Sequence, residues 1–214
     1  MTKTGILLPG YACTSEIWQL ICADLGAIYN LICVDWPVEA TPGFTSLGDF
    51  AVWLNDPLWP RPCDFIVGHS LGGLVAIQLA ASSKVVIPEI ILVETFLLPP
   101  APFFQSILLD EASSDPKHVL QEMLEREKAF YSARLRETLR EIDNNEQVSR
   151  LGKTIHALYG DRGSGNSKEV INKLHWSEKL SASVDVSVIQ GACHFPMIEN
   201  PQAIVQVLKS VISS

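Results

Sequence analysis

Short apolar runs alternate with helical patterns along this 214-residue chain, which predicts an α/β fold: a parallel sheet covered by helices on both faces. Three observations carry that prediction. Apolar runs of strand length recur at Gly5–Leu8, Tyr29–Val34, Asp64–Val67, Glu89–Val93, Thr154–Tyr159 and Val184–Gln190, giving about six mostly parallel strands. The segments between them carry apolar residues at helical spacing, as crossovers between parallel strands require. The third observation is Gly68-His69-Ser70-Leu71-Gly72-Gly73, a strand turning sharply into a helix at its serine.

Each element has a local reason. Thr14 or Ser15 caps a first helix whose stripe is Ile17, Ile21 and Leu25. A second helix covers Leu47 to Leu54, and the helix after Ser70 runs to about Ala81. Ser167 is the expected cap of a helix carrying Val170, Ile171 and Leu174. Asn200 as cap with Pro201 at the first position opens a last helix that buries Ile204, Val207, Leu208 and Val211. Residues 1–94 and 152–214 form the expected core. Residues 95–151 differ in character: a proline-rich aromatic stretch, Leu97 to Phe104, leads into a charged helix with Leu120, Met123, Leu124, Tyr131, Leu135 and Leu139 as its stripe. That insertion is expected to be a small helical lid on the serine's edge of the sheet, with an ordinary long connection as the alternative.

Composition excludes several function classes. Apolar residues make up 47% and charged residues 19%, as in globular proteins generally. A net charge of −8 and a pI near 5.1 argue against nucleic acid or an anionic membrane as partner. No uncharged apolar run approaches the roughly 18 residues that span a bilayer. The start, Met1-Thr2-Lys3-Thr4-Gly5, lacks a signal-peptide apolar region. The five cysteines, at 13, 22, 33, 63 and 193, are odd in number and without C-x-x-C spacing, so buried thiols in a reducing cytoplasm are expected. No metal or cofactor is expected; Cys193 beside His194 brings no second and third ligand at a usable spacing.

The chemistry is read from Ser70. A strand-to-helix turn forces its middle residue into strain and lifts the hydroxyl above the sheet, at a helix N-terminus that favours developing negative charge. A serine hydroxyl needs a base, and the base needs an acid to hold it. His194, in Gly191-Ala192-Cys193-His194-Phe195-Pro196 after the last strand, lies at the same sheet edge. His69 is expected to point away from the open side, His118 and His175 to lie in helices and His156 inside a strand. The oxyanion donors are expected from the N–H of Leu71 and from Tyr11, in the loop Leu8-Pro9-Gly10-Tyr11-Ala12.

These residues resemble an α/β-hydrolase-fold protein from Leu7-Leu8-Pro9-Gly10 through the Ser70 turn to Gly191–Phe195, with nucleophile first and histidine last. The resemblance implies a minimal α/β-hydrolase fold, because no N-terminal hairpin fits before Gly5. Pro9-Gly10 stands where His-Gly is usual. It leaves the acid open between two positions. The usual one, three residues after the glycine of Tyr159-Gly160-Asp161, is Gly163 here, with Asp161 two residues early. The other, at the end of the strand after the nucleophile helix, is Glu94 in Ile90-Ile91-Leu92-Val93-Glu94. A carboxylate in so apolar a run needs a partner, either His194 or an arginine at the hinge of the insertion. Leu8-Pro9-Gly10, Ile90–Glu94, His194-Phe195-Pro196 and Asn200-Pro201 together are similar to the cofactor-free quinolone 2,4-dioxygenases and their small esterase relatives, which favours Glu94.

The resemblance implies a serine hydrolase acting on a carboxylic ester or thioester of a small to medium apolar acyl group. Phe96, Phe103, Phe104 and Trp18, with Trp36, are candidate pocket walls, or else core residues. The alternatives are dioxygenase chemistry, against which Leu71 stands where that subgroup often has a histidine, and a receptor that turns its ligand over slowly or not at all. Arg134, Arg136 and Arg140 raise an acyl-carrier protein as a partner, since pimeloyl-carrier methyl esterases resemble the chain in outline; a solvated charged helix is the plainer reading.

Overall fold

The computed structural model describes residues 2–55, 63–82, 86–109 and 114–213, with the side chains of 114–117 left out. Six strands form one sheet in the order β2-β1-β3-β4-β5-β6: β1 Thr4–Leu8, β2 Asn30–Cys33, β3 Phe65–His69, β4 Glu89–Val93, β5 Ile155–Gly160 and β6 Val184–Ile189. Every pairing is parallel. Each expected strand is present, within two residues at either end.

Alternation along the strands builds two cores. Ile6, Leu8, Ile66, Ile90, Leu92, Ala157 and Tyr159 face α2 (Leu47–Leu54), α3 (Leu71–Ser82), α6 (Asn145–Arg150), α7 (Ser167–Lys173) and α8 (Glu178–Ser181). Leu7, Phe65, Val67, Ile91, Val93 and Leu158 face α1 (Gln19–Leu25), α4 (Ser114–Glu127), α9 (Pro196–Glu199) and α10 (Pro201–Ser213). Each fully buried Leu, Ile or Val contributes on the order of 1.5–3 kcal/mol. Burial of both sheet faces explains why the central strands β1, β3 and β4 are almost continuously buried and apolar.

The local signals act with some corrections. Thr14 caps a 3-10 turn at Ser15–Trp18, its hydroxyl accepting from Glu16 N–H, and α1 follows directly. Ser46 and Asp49 form a capping box on α2. Asn166 rather than Ser167 caps α7, accepting from Glu169 N–H. α10 opens on Asn200 and Pro201, and buries Val205 and Ile212 where the sequence pointed to Val207. His175 is not helical; it follows α7 in a left-handed conformation with φ 53°.

Residues 95–151 depart most from expectation. In place of one helix there are α4, a 3-10 turn at Lys128–Phe130, α5 (Ala133–Arg140) and α6. Tyr131 is extended, and Ser132 caps α5 by accepting from Leu135 N–H. That break splits the apolar stripe: Leu120 and Met123 join one core, Tyr131 and Leu135 the other. The cysteines also differ from expectation. Cys13, Cys63 and Cys193 are buried, but Cys22 is half-buried and Cys33 exposed. No described helix is long and apolar enough to cross a membrane.

Candidate active site

Ser70 follows β3 and immediately precedes α3, with φ 49° in the left-handed region that non-glycine residues avoid. Its N–H donates to Val93 O at 2.9 Å, and its carbonyl accepts from Gly73 N–H at 3.1 Å. The turn is too tight for side chains: a Cβ on Gly68 would lie 2.4 Å from Gly73 N. Thr95 braces it from below, its hydroxyl 3.2–3.3 Å from the carbonyls of Gly68, Ser70 and Val93. Strain at a residue fixed from both sides is the arrangement found at functional sites.

The loop after β1 packs against this turn. A Cβ on Gly72 would meet Leu8 O at 2.5 Å, and one on Gly10 would sit 3.3 Å from Ser70 Cβ. The Pro9–Ala12 backbone therefore approaches the serine closely. Leu71 is the first residue of α3, so its N–H is a first-turn donor without a helical acceptor. The Tyr11 ring packs 4.5 Å from that of Tyr131.

His194 arrives from the far edge of the sheet. The loop after β6 crosses the end of β5, where Gly160 leaves room; a Cβ there would be 2.2 Å from Ala192 O. Four hydrogen bonds then hold the histidine and its loop. Its N–H donates to Ile107 O at 3.0 Å, and the Glu199 carboxylate accepts from Cys193 N–H at 2.7 Å and Leu109 N–H at 2.8 Å. His69 Nε2 lies 2.8 Å from His194 O. His69 thus touches the His194 loop from inside, its ring 4.9 Å away, instead of simply pointing away. Burial, and then the neighbouring imidazole, hold His69 well below the ordinary histidine range, so it stays neutral and Nε2–H is the donor.

Glu94 and Asp161 occupy different environments. Glu94 is fully buried and has φ 49°. Its Oε2 lies 3.3 Å from His194 Nδ1. Arg162 grips the same carboxylate with both arms, at 2.7 and 2.5 Å, and Gly160 N–H donates to Oε1 at 2.5 Å. Burial pushes this carboxyl up, but the hydrogen bonds from Arg162 and His194 outweigh it and hold it below its ordinary value. Asp161 instead accepts from the N–H groups of Gly163, Gly165 and Gly191, at 2.9, 3.1 and 2.9 Å. It ties the turn after β5 to the loop after β6.

The aromatic candidates separate as well. Phe96 is partly buried, and its ring is parallel to that of His194 at 6.1 Å. Phe104 is buried beneath the Arg162 guanidinium, 4.8 Å from its centre, with Phe103 edge-on against it. Trp18 has 0% exposure and belongs to the core between the sheet and α1. Trp36 donates to Pro9 O at 3.2 Å and lines a cavity of about 240 Å³ with Cys13, Asp35, Phe130 and Tyr131. The other histidines lie elsewhere: His118 pairs with exposed Glu122, and His156 on β5 lies 3.5 Å from Asp185. Burial pushes the Cys193 thiol up to about 12, so it is protonated at neutral pH and no rival nucleophile. No group of three or more His, Cys, Asp or Glu among the described residues is placed to hold a metal ion.

Sequence reasoning missed Arg162, His69, Thr95 and Glu199 as supports. A buried acid at the end of a strand signals a cationic partner. Nothing in a linear pattern singles out Arg162 from the other arginines.

A family profile described as the alpha/beta hydrolase family matches residues 6–207. A pimeloyl-[acyl-carrier protein] methyl ester esterase of Aeromonas salmonicida is 25% identical, over 95% of this chain and 93% of its own. One from Pectobacterium carotovorum is 28% identical, over 92% and 89%. A Bacillus subtilis carboxylesterase structure superposes with a TM-score of 0.71 at 14% identity, over 99% of this chain and 84% of its own. These likenesses are to ester hydrolases and do not specifically indicate the quinolone dioxygenases.

Proposed function

Since the chain belongs to the alpha/beta hydrolase family, we propose that it is a serine esterase in which Ser70, His194 and Glu94 form the triad. The observation that carries this reading is the buried Glu94 carboxylate 3.3 Å from Nδ1 of His194, whose backbone carbonyl also binds His69. Glu94 then keeps the proton on Nδ1 and leaves Nε2 as the base. His194 takes the Ser70 proton, Ser70 Oγ attacks the ester carbonyl, and the Leu71 and Tyr11 N–H groups receive the oxyanion. Proton return from His194 releases the alcohol. Water activated by the same imidazole then frees the acid.

Residues 95–151 act as the lid in this reading, supported by Phe96 against His194 and by the Ile107 carbonyl on His194 N–H. The substrate class we favour is an apolar carboxylic ester, carrier-linked as in the names of the two relatives. Arg134, Arg136 and Arg140 are exposed on α5, where they suit an acidic carrier, and Arg134 lies 3.5 Å from Glu137.

The experiment is hydrolysis of p-nitrophenyl esters from acetate to decanoate by wild type and Ser70→Ala. Activity in wild type that Ser70→Ala abolishes supports the reading, and the chain-length optimum sizes the pocket. Equal rates in both proteins, or none in either, overturn it.

A further inference from the structure

The ester chemistry makes no use of the opposite edge of the sheet, where β2 is the outer strand. There Cys22 of α1 and Cys33 of β2 bring their sulfurs to 3.1 Å, closer than two carbon atoms in ordinary contact. Both cysteines line one open surface groove, with Gly26, Ala27, Asn30 and Leu31. A disulfide needs about 2.05 Å between sulfurs, so closure asks for a movement of about 1 Å, within reach of side-chain rotation. The elements on either side are held independently. Asn30 N–H donates to Lys3 O at 3.0 Å, and the Asp35 carboxylate accepts from Ser15 N–H and hydroxyl at 2.5 and 3.0 Å.

We propose that Cys22 and Cys33 are a redox-active dithiol that a hydroperoxide closes to an intramolecular disulfide. The Cys22 thiolate attacks a peroxide oxygen; the O–O bond breaks, and the sulfur becomes a sulfenic acid as water departs. The Cys33 thiolate then attacks the Cys22 sulfur. An S–S bond forms, the S–O bond breaks, and the hydroxide leaves as a second water after taking the remaining proton. Two thiols and one hydrogen peroxide give one disulfide and two waters, with two electrons passing from sulfur to oxygen. Either thiol can donate in the sulfur–sulfur contact and support the other as thiolate, and the same balance holds with the two roles exchanged. The other three cysteines are buried, which makes the reaction site-selective.

The test treats reduced wild-type protein with stoichiometric hydrogen peroxide, quenches it with iodoacetamide in denaturant, and maps the peptides without reduction. The expected product is a monomer about 2 Da lighter before alkylation, with two fewer alkylatable thiols and a Cys22–Cys33 peptide pair that dithiothreitol separates. Its melting temperature should exceed that of the reduced protein by several degrees, since the bond closes a loop in the unfolded chain. Cys22→Ser and Cys33→Ser should each give no such pair. Five alkylatable thiols after peroxide, oxygen added to single cysteines without the linked pair, or a link only between chains would each overturn the proposal. This inference is independent of the esterase reading.

Discussion

Arg162 holds both oxygens of Glu94 in a bidentate grip, 2.7 Å from Nη1 to Oε1 and 2.5 Å from Nη2 to Oε2, while Oε2 also lies 3.3 Å from His194 Nδ1. The carboxylate is therefore shared between a permanent cation and the His194 imidazole. Such sharing fixes the carboxylate's orientation and keeps it ionised.

Glu94→Gln should lower kcat for ester hydrolysis by on the order of 10³–10⁴-fold, because an amide favours the wrong imidazole tautomer. Asp161→Asn should leave kcat within about tenfold and cost about 1–3 kcal/mol of stability, since a carboxylate accepting three backbone N–H groups is replaced. Steady-state kinetics and urea unfolding of the two variants separate the roles. Equal losses of kcat would remove the distinction.

Arg162→Met leaves Glu94 buried without its cation and should destabilise the fold by about 3–5 kcal/mol. Wild-type Glu94 titrates below its ordinary value of 4.5, so its stabilisation is complete above that pH and disappears as pH falls through the lowered value. In Arg162→Met the carboxyl rises, so the loss of stability on acidification should shrink, and reverse once the folded value passes 4.5, while the acid limb of kcat should begin at higher pH. Arg162→Lys restores the charge without the fork and should rescue only in part. A pH profile identical to wild type in Arg162→Met would contradict the coupling.

His69 is neutral in the fold and binds a proton near pH 6.5 once unfolded, so acid favours the unfolded chain. Its contribution is constant above about pH 6.5 and falls by about 1.4 kcal/mol for each pH unit below, down to its lowered folded value. The urea midpoint between pH 8 and 5 should therefore drop less steeply in His69→Asn than in wild type, even if the variant starts lower. Parallel slopes would show that His69 does not titrate with unfolding.

Gly72→Ala places a Cβ 2.5 Å from Leu8 O and 2.7 Å from Pro9 O, so the loop carrying Tyr11 must retreat. A displacement near 1 Å should cost about 10²-fold in kcat, with secondary structure retained by circular dichroism. Unchanged kcat would sink the oxyanion role of that loop.

Replacing Arg134, Arg136 and Arg140 together by glutamate should raise KM for a carrier-bound methyl ester by tenfold or more and leave p-nitrophenyl ester hydrolysis unchanged. An unchanged KM on the carrier substrate would exclude α5 as the docking surface.

The architecture was legible in the sequence because its determinants are local. Apolar runs of strand length, caps such as Asn200 before Pro201, and the glycines around Ser70 act over a few residues, and all six strands could be placed from the runs. Residues 95–151 were harder. Their stripe reads as one helix, and the division at Tyr131–Ser132 sends its two halves to cores on opposite faces of the sheet.

Sequence alone determined a parallel α/β sheet with Ser70 at the sharp turn into α3, and it narrowed the acid to two carboxylates at strand ends. Only tertiary structure decided which of them meets His194. Glu94 and Asp161 end neighbouring strands, β4 and β5, and the loop after β6 passes close to both. In that crossing Asp161 is taken up by three glycine N–H groups, while His194 is carried on to Oε2 of Glu94. The same holds for Arg162 and for Cys22 with Cys33. Their partners lie 68 and 11 residues away, at distances that folding sets and linear patterns do not encode.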